Sequence, residues 1–370
     1  MVSTLEALAG GDGAKAAPGA AEDFEATDGG DSGRGAEKDS HTPRMNVGLA
    51  SPGRHRDHRR QRNGGPSSLL EAFGLILAML VAGRALAWRG LVPADAAATL
   101  NLVVLYVCLP AAVLLHAPHL RFERDLVGVV AVPWLILLAS CALTLLVARL
   151  FRFERHAVVA LLMLVALGNT SFLGFALVPA LGGPEALRYA IAYDQFGSFL
   201  ILSTFGLVLL GLNGSERPTA ASILRRIVGF PPFIALMAGL FLMPPAYPAG
   251  VEHALRLLAD SLLPLVALAC GMQLRLQLPR ADLGPIAYGI TAKLVLMPAL
   301  SLALCFAFGL DVAARDAVVY ETAMPSMITA AALLSLAGIA PALANAMVGY
   351  GIVLSMLTLP LWHAVLARIA

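Results

Sequence analysis

Two short polar clusters interrupt otherwise apolar stretches of this sequence. The first is Gly168–Gly174 (GNTSFLG) and the second is Glu321–Ser326 (ETAMPS). Glycine, asparagine, threonine and serine are indifferent helix formers, and proline removes an internal helical hydrogen bond, so each cluster predicts a helix that stops and restarts. The restarting halves would begin near 171–173 and near Ser326. Because the N-terminus of a helix offers free N–H groups and a positive dipole end, the chemistry expected at both clusters is anion binding.

Side chains of both clusters could line such a site. Their hydroxyl and amide groups can hydrogen-bond a carboxylate, and a broken helix inside a membrane is tolerated only beside protein or a water-filled cavity. A packing interpretation stays open, because small residues also allow close helix contacts and proline also kinks a helix. We predict seven substrate-binding residues: Asn169, Thr170, Ser171, Met324, Pro325, Ser326 and the more distant Lys293.

Four ionisable residues lie deep in apolar runs, where burying a charge is costly and a functional role is the first hypothesis. Lys293 is the only lysine beyond the first 38 residues. Asp194 and Glu321 are predicted to set its protonation or to couple an ion, with a buried structural ion pair as the alternative. Asp260 follows Arg256 by about one helical turn, which predicts a salt bridge between them near a helix end.

The apolar runs that carry these residues have the length of membrane spans. About 20 helical residues cross the hydrocarbon core, and the run 126–148 has no Asp, Glu, Lys, Arg or His in 23 residues. The runs do not alternate apolar and polar residues as barrel strands do, so helices must satisfy the backbone in lipid. We predict an all-α integral membrane protein with ten transmembrane helices: 69–88, 97–117, 126–149, 157–181, 187–211, 224–246, 251–275, 283–309, 315–338 and 342–367.

Weak internal sequence repeats divide the ten predicted spans into two halves. Leu109–Leu114 (LPAAVL) is echoed by Leu263–Leu268 (LPLVAL) at an offset of 154 residues, and Arg155–Val159 is echoed by Arg315–Val319 at an offset of 160. An odd number of spans in each half forces the halves into opposite orientations, which is the inverted-repeat design of many secondary transporters. We therefore predict one five-helix repeat over 69–212, a central loop over 213–223 and a second repeat over 224–370.

The first 68 residues differ from the rest of the chain. They hold 19 of the 50 charged residues and one aromatic, Phe24, so they cannot bury enough apolar surface to offset the entropy of ordering. We predict a disordered polar tail over 1–68. Ten arginines in the loops of one side place both termini outside the cytoplasm, but arginines just before the first span oppose this. A translation start after residue 66 would reconcile the two signals, and N-terminal sequencing that found Met1 would exclude it.

Composition and motifs exclude several functional classes. The chain is 58% hydrophobic and 14% charged, against about 45–50% and about 25% in soluble domains. A soluble enzyme, a nucleic-acid binder and a disordered regulator are therefore not expected. Because HExxH, GxSxG and P-loop motifs are absent, we predict no enzyme activity, no cofactor and no direct use of ATP. The four cysteines lie in apolar runs without metal-ligand spacing, so no metal site is predicted.

Seven short motifs together carry a family resemblance: Gly168–Gly174, Gly183–Leu187, Tyr193–Gln195, Lys293–Leu294, Pro298, Ala323–Ser326 and Leu357–Pro360. With them, residues 69–368 resemble the auxin efflux carrier family of membrane transporters, whose bacterial members include permeases for malate, malonate and similar organic acids. The resemblance implies two inverted five-helix repeats, with broken fourth and ninth helices that cross near the substrate. It also implies that one helix bundle moves against the other. Ala176 departs from the family, in which proline is frequent at that position.

The residues and the resemblance together predict a secondary active or facilitative transporter of a small organic anion, working by alternating access in the cytoplasmic membrane. The expected partners are the organic acid, the lipid bilayer and a coupling proton or sodium ion. No nucleic acid is expected, and a homodimer stays open. One alternative is a sodium-coupled carrier similar to the bile-acid symporters, whose flux would depend on sodium rather than pH. Another is a non-transporting membrane receptor, which would bind the anion without counterflow.

Overall fold

The structure, a computed structural model, describes residues 66–120, 124–213, 219–244, 246–274, 276, 279 and 282–369. Within these residues the chain forms thirteen helices and no strand, which confirms the predicted all-α class. Residues 1–65 of the predicted polar tail lie outside the described residues. The helices are α1 Pro66–Trp88, α2 Ala96–His119, α3 Arg124–Phe151, α4 Arg155–Ala166, α5 Thr170–Gly182, α6 Ala186–Asn213, α7 Ala220–Val228, α8 Pro231–Phe241, α9 Ala249–Gln273, α10 Leu283–Phe308, α11 Val312–Ala323, α12 Ile328–Leu336 and α13 Pro341–Arg368.

Six of these helices are long and apolar enough to cross a membrane, namely α2, α3, α6, α9, α10 and α13. The pair α7 and α8 is bent by 63° and adds a seventh span if the pair crosses as one. α4 has only 12 residues, which rise about 18 Å of the roughly 30 Å hydrocarbon core. The chain is therefore a multi-pass membrane protein in which several helices are too short to span alone.

The helices pack into two groups. One group contains α1, α2, α8 and α9, and the other contains α3–α6 and α10–α13. α1 and α9 approach closely because each carries a glycine at the contact. A Cβ added to Gly83 would lie 2.2 Å from the carbonyl oxygen of Leu268, and one added to Gly271 would lie 2.2 Å from that of Leu80. Small residues of this kind let helix backbones touch inside a membrane.

α11 is the innermost helix of the second group. Nine of its 12 residues are buried, and it packs against α3, α5, α6, α10 and α13. Its start is defined by Asp311, whose side chain accepts a hydrogen bond of 2.7 Å from the N–H of Ala314. Its end coincides with the polar cluster that contains Pro325, because the residue before a proline avoids the helical conformation.

Candidate functional site

The two polar clusters meet where two helices are interrupted. α4 ends at Ala166 and α5 begins at Thr170, while α11 ends at Ala323 and α12 begins at Ile328. We call the intervening segments, 167–169 and 324–327, the crossover.

Backbone hydrogen bonds hold the two segments of the crossover together. The N–H of Asn169 donates to the Pro325 carbonyl at 2.7 Å, and the N–H of Met327 donates to the Leu167 carbonyl at 3.1 Å. Gly168 and Ser326 are thereby paired as an isolated antiparallel bridge. Non-helical backbone at membrane depth needs such partners, since lipid supplies none, and the two broken helices supply them to each other.

Two predicted site residues stabilise helix ends at the crossover. Ser326 Oγ donates to the Leu164 carbonyl at 2.8 Å, in the last turn of α4. Lys293 Nζ donates to the Thr322 carbonyl at 3.0 Å, in the last turn of α11. The last carbonyls of a helix lack helical partners, and a cation is favoured beside them. Both side chains therefore have a structural role at the crossover.

Lys293 is buried without an ion pair. Only 2% of the residue is exposed, yet no carboxylate oxygen of the described residues lies within 4.0 Å of its Nζ. The structural ion pair with Glu321 or Asp194, considered as an alternative from the sequence, is not formed. The amine lies against Gly168, where an added Cβ would be 3.0 Å from Nζ. Its amine is consequently held at the crossover without a direct contact to a carboxylate.

Asp194 joins the start of α5 to α6. Its Oδ1 accepts hydrogen bonds from the hydroxyls of Thr170 and of Ser171, the latter at 2.7 Å. Its Oδ2 accepts a bond of 2.7 Å from the side-chain amide of Gln195. Since three donors satisfy one fully buried carboxylate, Asp194 positions the first turn of α5, and the hydroxyl protons of Thr170 and Ser171 are already used.

Other buried polar atoms at the crossover have no partner among the described residues. Both side-chain atoms of Asn169, both carboxyl oxygens of Glu321 and Oε1 of Gln195 lack a hydrogen bond. Asn169 is 1% exposed and Glu321 is completely buried. Buried polar groups are nearly always hydrogen-bonded, so a cluster of exceptions calls for a specific explanation, and a bound ligand is one.

Glu321 lies directly against the first turn of α5. A Cβ added to Gly174 would be 2.2 Å from Oε2 and 2.5 Å from Oε1 of Glu321. Neither α5 nor α12 has a side-chain cap at its N-terminus, and Asn169 itself occupies the cap position of α5. The start of α5 therefore combines free backbone N–H groups with the unpartnered side-chain amide of Asn169. The unpartnered carboxyl of Glu321 lies against the same turn.

The polar residues of the site coincide with π-helical turns. Three of the five such turns in the described residues cover Thr170–Gly174, Asp194–Ser198 and Ala292–Leu296, the last of which contains Lys293. The other two, Val104–Cys108 and Leu202–Gly206, contain no predicted site residue. Single π-helical turns are rare and occur frequently at functional sites. The irregular helix geometry and the polar side chains therefore point to the same region.

Of the seven predicted binding residues, four lie in the crossover, Thr170 and Ser171 follow it directly at the start of α5, and Lys293 lies against Gly168. Met324 and Pro325 are buried in the crossover, and the Met324 N–H donates to the Glu321 carbonyl at 3.3 Å. Gln195, Gly174 and Thr322 were not predicted as site residues. Thr322 also bonds the buried hydroxyl of Tyr193 at 3.0 Å. The sequence did carry signals for them, since Gly174 and Thr322 lie in the two polar clusters and Gln195 lies in the motif Tyr193–Gln195.

The predicted salt bridge between Arg256 and Asp260 is wrong. Arg256 instead pairs with Glu252, with 2.8 Å between guanidinium nitrogen and carboxylate oxygen. Both acidic residues lie four residues from the arginine, and Asp260 is the last residue of the first segment of α9, which is capped by Ser261. An exposed pair of this kind contributes little to stability.

Replacing Gly174 with alanine is expected to lower the free energy of unfolding by about 1–3 kcal/mol, as overpacking does in well-packed cores. The new methyl group would occupy the space of the Glu321 carboxyl, which is fully buried. Thermal unfolding of the purified variant in detergent measures the effect. Gly74→Ala is the control, because an added Cβ there meets nothing within 4 Å. Equal unfolding midpoints for the two variants would contradict the contact.

The fold is that of a multi-pass membrane protein. The chain belongs to the family described as membrane transport protein, whose model matches residues 69–363, and this confirms the resemblance found in the sequence. Over 294 residues it is 26% identical to an uncharacterized transporter of Methanothermobacter thermautotrophicus, covering 79% of this chain and 96% of the relative. Over 266 residues it is 23% identical to an uncharacterized transporter of Methanocaldococcus jannaschii, covering 68% and 84%. The family description and the names of both relatives thus agree on membrane transport.

Proposed function

We propose that this chain is a secondary carrier of a small organic anion with ten transmembrane segments in two inverted repeats. Joining α4 with α5, α7 with α8 and α11 with α12 across their breaks turns the thirteen described helices into ten segments, five on each side of the central loop. The two segments that are interrupted at the crossover are then the fourth in the first half and the fourth in the second half. This equivalence supports the repeat, as do the sequence echoes.

The observation that carries the proposal is the buried, unpartnered side chain of Asn169 at the start of α5. Thr170 and Ser171 donate to Asp194, and Ser326 donates to Leu164, so these hydroxyls retain only lone pairs. An anion needs donors. The Asn169 amide and the free N–H groups at the starts of α5 and α12 are the donors that remain, and Lys293 adds a positive charge nearby.

The proposed substrate is a carboxylate, of the malate or malonate type that the resemblance implies. A carboxylate would accept hydrogen bonds from Asn169 Nδ2 and from the first-turn N–H groups of α5, and bonds to a charged group are worth about 1.5–3 kcal/mol each. Met324 and Pro325 would form the apolar wall of the site. Flux of radiolabelled dicarboxylates, monocarboxylates and aromatic acids into proteoliposomes tests the proposal, and absence of flux for all three classes would overturn it.

Alternating access would arise from movement between the two helix groups. α5 packs against α11 and α6 in its own group and also touches α1 and α9 of the other group. A shift of one group past the other would carry the crossover between the two membrane faces. We place the protein in the cytoplasmic membrane with both termini outside, on the basis of the loop arginines. Cysteine accessibility on the two sides of α5, measured with and without substrate, would detect this movement.

Glu321, rather than Asp194, is the group that we propose binds the coupling cation. Asp194 already accepts three hydrogen bonds, whereas both oxygens of Glu321 are free of partners among the described residues. A buried carboxylate needs a proton, a metal cation or donors to be stable. Flux that follows a pH gradient identifies a proton, and flux that follows sodium favours the alternative carrier similar to bile-acid symporters. Binding without counterflow would favour a receptor.

Replacing Pro325 with alanine is expected to reduce flux at least about tenfold while the protein still folds. Alanine restores a backbone N–H and frees Met324 to become helical, so α11 can extend and break its pairing with Asn169. Flux into proteoliposomes and the elution volume in size-exclusion chromatography are the two measurements. Pro360→Ala, inside α13, is the matched control and should retain flux. Normal flux in the Pro325 variant would show that the break is not required.

A further inference from the structure

A groove on the outside of the helix bundle has none of the crossover residues in its lining and has no role in the function proposed above. It has a volume of about 520 Å³, and it lies between α1, the end of α9 and α13. Val81 and Arg84 of α1, Val353 and Met356 of α13, and Leu274 are among its lining residues. Val81 is 60% exposed and Val353 is 41% exposed, so the groove opens on the surface that faces the bilayer.

The groove combines apolar walls with one positive charge. Arg84 is the only ionisable residue of its lining, and it forms no ion pair or hydrogen bond with any residue that the structure describes. Trp88 also lines the groove, closes α1 and is 76% exposed. Tryptophan is enriched at the membrane–water interface, so Arg84, one turn earlier, can extend its guanidinium to the depth of the lipid headgroups.

The occupant of such a groove must be apolar over most of its length and anionic at one end. A water-soluble organic acid offers too little apolar surface, and an uncharged lipid would leave the guanidinium without a partner. A phosphate bonded to guanidinium forms short, charge-assisted bonds, frequently two in parallel. We propose that the groove is a specific site for one anionic phospholipid, whose phosphate binds Arg84 and whose acyl chain lies between α1 and α13.

The groove lies between the two helix groups, so a lipid bound there could affect their relative movement. Arg84 and Trp88 belong to the first helix group, whereas Val353 and Met356 belong to the second. A lipid that fills the groove contacts both groups. Dependence of transport on this lipid would follow only if the groups move as proposed above, but binding of the lipid does not rest on that proposal.

Native mass spectrometry of the purified full-length protein tests the site. The protein is titrated in detergent with dioleoyl phosphatidylglycerol or with dioleoyl phosphatidylcholine, which have the same chains. We expect one phosphatidylglycerol to be retained at concentrations where phosphatidylcholine is lost. Arg84→Gln should weaken retention of phosphatidylglycerol about five- to tenfold, because one charge-assisted contact to phosphate is removed.

Two further variants separate the site from general effects. Arg89→Gln removes an exposed arginine just beyond α1 that does not line the groove, and it should leave retention unchanged. Val353→Trp fills the groove and should abolish retention although Arg84 is intact. Equal retention of the two lipids, or equal losses for the Arg84 and Arg89 variants, would overturn the proposal. A cooperative unfolding transition is required of each variant as the control for folding. If the wild-type protein retains the lipid but shows no flux, only the proposed transport function is contradicted.

Discussion

Replacing Asn169 with alanine is expected to lower carboxylate flux about 10- to 150-fold, because the lost hydrogen bond to a charged group contributes about 1.5–3 kcal/mol. The variant should still fold, since the Asn169 side chain makes no hydrogen bond within the described protein. The backbone N–H that pairs with Pro325 is kept, so the crossover keeps its geometry. Initial rates of uptake into proteoliposomes measure the loss.

A thermal-shift measurement makes the Asn169 prediction specific. A ligand that binds only the folded protein raises the unfolding midpoint by mass action, so the wild-type protein should be stabilised by its substrate and the variant should not. Asn213→Ala is the matched control. Asn213 ends α6 and bonds the Leu209 carbonyl at 2.8 Å, so its loss should reduce stability slightly and leave flux intact. Full flux in the Asn169 variant would refute the assignment of the substrate site.

Replacing Glu321 with glutamine is expected to abolish accumulation driven by a cation gradient, while exchange of substrate between the two sides continues. Glutamine has nearly the shape of glutamate, so it keeps the contact with Gly174, but it cannot take up a proton or neutralise a cation. Net uptake under a pH or sodium gradient and counterflow without a gradient are measured on the same vesicles. Loss of the first with retention of the second separates coupling from binding.

Two further variants limit the interpretation of the Glu321 result. Glu185→Gln alters a carboxyl that is 75% exposed and should change neither measurement. Asp194→Asn should lose both, together with thermal stability, because an amide nitrogen would oppose donors from Thr170, Ser171 or Gln195. If Asp194→Asn uncoupled transport and Glu321→Gln did not, the two carboxyls would have the opposite roles.

The places of the two helix breaks could be predicted because they depend on local residue types. Gly168, Asn169 and Pro325 disfavour a continuous helix wherever they occur in a fold. The all-α class could also be predicted, because the apolar runs are long and do not alternate apolar with polar residues. Six or seven spans are supported by length and composition, and the arrangement in ten segments stays a prediction.

The sequence could not show which polar side chains hydrogen-bond within the protein and which remain free for a ligand, because this depends on contacts between distant helices. Ser326 bonds Leu164, 162 positions away in the chain, and Lys293 bonds the carbonyl of Thr322, 29 positions away. Residue type shows that a hydroxyl can donate, but only the packed structure shows that its proton is already committed. The salt bridge of Arg256 was predicted with the wrong partner for a similar reason. Glu252 and Asp260 both lie four residues from Arg256, and sequence spacing alone does not show which of them forms the pair.

The crossover is held together by main-chain atoms, and this bears on how related transporters can diversify. The bonds from Asn169 to Pro325 and from Met327 to Leu167 use only N–H and carbonyl groups, which every residue except proline offers. Side chains at most of these positions can therefore be exchanged without losing the crossing of the two segments. Gly168 and Pro325 are exceptions, because a Cβ added to Gly168 would lie 3.0 Å from the Lys293 amine and because Pro325 keeps Met324 out of the helical conformation. Residues that line the proposed substrate site can thus be replaced while the main-chain pairing of the crossover is kept.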